Sequence, residues 1–99
     1  MSEIDRNIEK IKALCNNHNV SKLYVFGSVL SERYKQTSDI DFIVDFSDIE
    51  IYDYADNYFD LKKSLEDLLN RQVDLLEEKA IKNPYLRQTI DSSKKLIYG

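Results

Sequence analysis

The chain has 99 residues, 42% of them hydrophobic and 32% charged, which is enough for one hydrophobic core and too apolar for a disordered polymer. Eighteen acidic against fourteen basic residues give a net charge of −4, and no Lys/Arg cluster exceeds a pair, so long nucleic acid is excluded as the expected partner. No apolar run approaches the roughly 20 residues of a bilayer span, and the opening Met1-Ser2-Glu3-Ile4-Asp5-Arg6 lacks a signal-peptide stretch, so a single domain over residues 1–99, cytoplasmic and free of the membrane, is expected.

Ile4, Ile8, Ile11, Leu14 and Cys15 recur at helical spacing, and Ser2 to about Asn17 reads as an amphipathic helix. Cys15, the single cysteine, has no disulfide or zinc partner and reads as a small core residue. His18 falls in the polar stretch that ends the helix, where an exposed partner for the C-terminal dipole is expected rather than a ligand. A β-rich run, Lys22 to Phe26, stops at Gly27-Ser28, and a short helix from Val29 to Tyr34 and a polar loop from Lys35 to Ser38 follow. Asp39 to Phe46 alternates strictly, with Ile40, Phe42, Val44 and Phe46 on one face and Asp39, Asp41, Ile43 and Asp45 on the other.

Ser47-Asp48-Ile49-Glu50 has the form of a capping box, with Phe46 and Ile51 placed as a hydrophobic staple. A long helix then runs towards Asn70 with Ile51, Tyr54, Ala55, Tyr58, Leu61, Leu65, Leu68 and Leu69 as its apolar stripe. A short strand from Gln72 to Leu76 comes next, then a helix capped by Asn83 and opened by Pro84, and a closing strand from Lys95 to Tyr98.

Gly27 and Ser28 lie where a strand hands over to a helix, a place that lets backbone approach an anion such as phosphate, although a plain tight turn has the same form. Asp39 and Asp41 leave one face of a strand about 6–7 Å apart, near enough to share a cation; the alternative is the wet face of an edge strand. Asp74, between Val73 and Leu75, joins them if its strand pairs beside Asp39–Phe46, making a three-carboxylate site for two metals roughly 3.5–4 Å apart. Without that pairing it is an edge charge that discourages aggregation.

Phe26-Gly27-Ser28, the ten-residue gap from Val29 to Ser38, Asp39-Ile40-Asp41 and Val73-Asp74-Leu75 together resemble the MNT group of the polymerase-β-like nucleotidyltransferase superfamily. The likeness spans nearly the whole chain. It implies an α/β (α+β) fold with a mixed sheet and packed helices, Gly27 and Ser28 at the phosphates of a nucleoside triphosphate, and Asp39 and Asp41 as metal ligands with Asp74 as the third acid. Where the family often has Arg-Gly, this chain has Ser31-Glu32, and Arg33 is the candidate to take over at the phosphates. The resemblance further implies two Mg²⁺ ions, ATP as substrate, and a cognate HEPN-type ribonuclease toxin neutralised by attaching AMP to a tyrosine. The rival expectation is a non-catalytic antitoxin that covers its toxin with Tyr52, Tyr54, Tyr58 and Phe59, a stripe that is otherwise internal core.

Overall fold

Strict alternation from Ile40 to Phe46 makes β2 (Ile40–Phe46), and the two ladders on its flanks organise the rest of the chain. A computed structural model describes residues 2–26 and 39–99. Gly27, Ser28 and Arg33, with the expected helix from Val29 to Tyr34 and the loop to Ser38, lie outside the described residues.

β1 (Val20–Phe26) and β2 pair antiparallel. β3 (Val73–Glu77) lies parallel on the other side of β2, and β4 (Lys95–Tyr98) pairs antiparallel with β1. The order is β3-β2-β1-β4, a mixed four-stranded sheet. A parallel neighbour demands a crossover of a dozen or more residues, and helix α3 (Ile51–Leu69) supplies it. Asn70 ends that helix in the left-handed region at φ 53°, with its N–H on the Glu66 carbonyl, and so turns the chain back into β3.

Leu23, Val25, Ile40, Phe42, Val44, Val73 and Leu75 form one buried face, packed against Leu61, Leu65 and Leu69 of α3 and Ile4, Ile11 and Cys15 from the start of the chain. Burial pushes the Cys15 thiol up to about 12, which keeps it protonated and inert, as its core placement predicts. Helix α4 (Pro84–Ser93) ends at the opposite face, where the next residue, Lys94, meets Tyr24. Ile90 and Ile43 are buried apart from the main cluster, and Lys94 Nζ stands 4.2 Å above the ring of Tyr24, the residue in register with Ile43. Asn83 caps α4 as its sequence predicts, its Oδ1 accepting from the N–H groups of Tyr85 at 2.9 Å and Leu86 at 3.2 Å. No described helix is long and apolar enough to cross a membrane.

Four local expectations are corrected. The first helix is two pieces, α1 (Ser2–Arg6) and α2 (Ile8–Asn17), because the Asn7 amide donates to the Glu3 carbonyl at 2.8 Å and competes with the regular ladder. His18 is buried: Nδ1 lies 2.7 Å from the Leu14 carbonyl and Nε2 2.6 Å from Asp60 Oδ2, tying the end of α2 to α3. No capping box forms at Ser47, because its N–H extends the strand pairing to the Asn19 carbonyl at 2.7 Å, and α3 starts later, after Glu50. Ile51 is 82% exposed, and Phe46 packs edge-on against Tyr54 instead, with ring centroids 5.6 Å apart.

Candidate active site

The two strands that carry the acids run parallel, and each acid is the second residue of its strand, so both must come out at the same sheet edge. Asp41 is in register with Asp74 on one side and with Phe26, the last residue of β1, on the other. Antiparallel pairing of β2 and β3 would have placed the acids at opposite ends. Asp39 sits just before β2 and is exposed. The chain therefore leaves β1, enters β2 and enters β3 at one edge, where the pairing foreseen for Asp74 brings it beside Asp41.

Burial pushes the Asp41 carboxyl up to about 6, and the hydrogen bond it shares with Asp74 and the negative charges of Asp74 and Asp39 push the same way. The contributions of Asp74 and Asp39 mark carboxylates held close together, and a cation between them offsets that repulsion. Asp45 lies on the same face as Asp41 but four residues further along the strand, about 13 Å away. There Lys79 Nζ is 3.7 Å from its Oδ1, in a pocket that Ser47, Asp48, Tyr54 and Glu77 help to line. It belongs to the other end of the sheet.

Of the six expected site residues, the structure thus brings Asp41 and Asp74 into contact with Asp39 close by, and Gly27, Ser28 and Arg33 fall outside the described residues. The aromatic stripe divides. Tyr54 and Tyr58 pack against the core, whereas Tyr52 is 92% and Phe59 64% exposed. Two side chains at the rim of the acid site were not foreseen: the Tyr58 hydroxyl donates to the Leu75 carbonyl, and Glu66 Oε2 accepts from the Val73 N–H at 3.1 Å. The one sequence signal was the hydroxyl itself, since a tyrosine in a core-facing helical stripe needs a polar partner when buried.

Comparison with known proteins agrees with this fold. Residues 9–99 match the family described as polymerase beta, nucleotidyltransferase. A candidate protein adenylyltransferase of Methanocaldococcus jannaschii is 37% identical over 99 residues, covering 99% of this chain and 96% of its own. Among solved structures, a candidate minimal nucleotidyltransferase superposes with a TM-score of 0.76 at 28% identity, covering 93% of this chain and 90% of that one. A toxin–antitoxin solved with AMP-PNP superposes with a TM-score of 0.72 at 25% identity, covering 94% and 73%. The chain belongs to the polymerase-β nucleotidyltransferase family and is a nucleotidyltransferase.

Proposed function

We propose that this nucleotidyltransferase moves AMP from ATP to a hydroxyl of a cognate HEPN-type toxin, a tyrosine, and thereby serves as the toxin's antitoxin in the cytoplasm. The observation that carries the chemistry is the register of Asp41 with Asp74 at the edge where β1 ends. Support for AMP comes from the adenylyltransferase name of the archaeal relative, and support for the partner from the toxin–antitoxin neighbour with its ATP analogue.

The acids suit Mg²⁺. Their carboxylates are hard oxygen donors in mutual contact, and Mg²⁺ typically takes only one or two protein carboxylates and fills its shell with phosphate oxygens and water. Among the described residues no group of three or more His, Cys, Asp and Glu side chains that could hold a metal ion is formed. Bound at the acids, Mg²⁺ supplies charge neutralisation at the triphosphate. Asp39 and Asp41 would hold the metal–nucleotide, Gly27 and Ser28 with Arg33 would serve the phosphates, and Asp74 would act on the acceptor side. A bond forms from the acceptor oxygen to the α-phosphorus, the bond to the bridging oxygen breaks, pyrophosphate leaves, and the hydroxyl proton passes to solvent. The chain's contribution is position and charge.

Exposure of Tyr52 and Phe59 favours a second role for the same partner, in which the antitoxin covers its toxin without chemistry. Incubation with ATP labelled at the α-phosphate, with and without Mg²⁺, and with the proposed HEPN-type toxin separates the two. Metal-dependent label on the toxin is expected; silencing of the toxin without label would leave covering as the function.

A further inference from the structure

We infer that Tyr58 and Glu66 are positioning residues for Asp74, clamping the free edge of β3 immediately before and after it; the inference rests on the role proposed above for Asp74. In a parallel ladder the backbone groups of alternate residues face the neighbouring strand. The Gln72 carbonyl accepts from the Ile40 N–H at 3.1 Å, so Gln72, Asp74 and Leu76 address β2. Val73 and Leu75 address the outside, and β3 is the terminal strand. Outward groups of an edge strand ordinarily go to water.

Here helix α3 takes one on each side of Asp74. Glu66 Oε2 receives the Val73 N–H at 3.1 Å, and the Tyr58 hydroxyl donates to the Leu75 carbonyl. The helix runs back along the strand, so the two side chains, eight residues apart in sequence, reach Leu75 and then Val73. Both rest on a firm base: Leu61 and Leu65 between them are fully buried, and Lys62 Nζ lies 3.5 Å from Glu66 Oε2. Burial, followed by the charge of Glu77, raises the Tyr58 pKa and keeps its hydroxyl a donor.

Asp41 needs no such device, because β1 and β3 flank it on both sides. Asp74 is held by one strand only. A displacement of about 1 Å at a reacting group costs roughly 10²-fold in rate, so an edge acid used in chemistry needs its strand fixed from outside, and these two bonds fix it.

The test compares Tyr58→Phe, Glu66→Ala and Glu66→Gln with wild type and Asp74→Asn, each well below its melting temperature. Phe keeps the ring and loses the hydroxyl; Gln keeps an oxygen that can accept the Val73 N–H. With ATP, Mg²⁺ and the toxin, kcat should fall roughly tenfold or more in Tyr58→Phe and Glu66→Ala while KM for ATP stays within about twofold. Glu66→Gln should restore it. In the metal-free protein without nucleotide, the ¹³C carboxyl resonance of Asp74 should move in the first two variants and stay in place in Glu66→Gln. If Asp74→Asn transfers like wild type, the role of Asp74 itself is wrong. If Asp74→Asn is inactive while Tyr58→Phe and Glu66→Ala keep both kcat and the resonance, the clamp has no part in positioning.

Discussion

Asp41 and Asp74 face each other across the parallel ladder between β2 and β3, in register and in hydrogen-bond contact. The α3 crossover creates that relationship, because it delivers β3 in the same direction as β2 and brings the second residue of each strand to one edge. The cost to the protein without metal is electrostatic.

That cost has a sign. The Asp41 pKa rises from 3.8 to about 6 on folding, so between those pH values the folded chain binds more protons than the unfolded one, and stability falls as pH rises through the window. Asp41→Asn removes the effect. Without metal, the variant should melt about 2–5 °C above wild type at pH 7.5, with the gap closing near pH 4. A scanning calorimetry series over pH checks it.

Metal and nucleotide should bind together. Mg²⁺ alone meets few protein ligands, and ATP alone meets an acidic edge; each relieves the other's repulsion. Thermal-shift assays should show a small effect of either and a large one of both, about 2.7 kcal/mol when the complex is supplied at 100 times its dissociation constant. The synergy should vanish in Asp41→Asn and weaken in Asp39→Asn.

Gly27→Val should abolish nucleotide binding while leaving the circular dichroism spectrum in place, since a branched side chain blocks close approach of backbone to phosphate. Titration calorimetry with ATP and Mg²⁺ reads the loss; normal affinity in a folded variant would reduce Gly27 to a turn residue.

His18 is a stability element. Its ring bridges the Leu14 carbonyl and Asp60 with little exposure, so His18→Ala should cost about 1–3 kcal/mol in urea denaturation. A double-mutant cycle with Asp60→Ala should return a coupling of roughly 0.5 kcal/mol or more.

What could be read beforehand followed from local periodicity. Alternation about Asp39 and Asp41 and an acid inside Val73-Asp74-Leu75 are visible in the chain itself, and so is the helix long enough to make the crossover. The remainder is decided by partners remote in sequence. His18 reads as an exposed helix end until Asp60, 42 residues on, reaches its ring. Ser47 looks like a cap until its N–H is taken by Asn19. Tyr58 reads as one more apolar position because its hydroxyl finds a carbonyl on a strand 17 residues later. Each miss is a hydrogen bond that periodicity does not encode.

Intact-mass spectrometry of the toxin, after incubation with ATP and Mg²⁺ and either wild type or Asp74→Asn, tests the central claim most directly. Wild type should add AMP units, and Asp74→Asn, which keeps size and loses charge, should add them at least about 10²-fold more slowly while still binding nucleotide and toxin. A toxin silenced by wild type with no gain in mass, or one modified equally fast by Asp74→Asn, would contradict it.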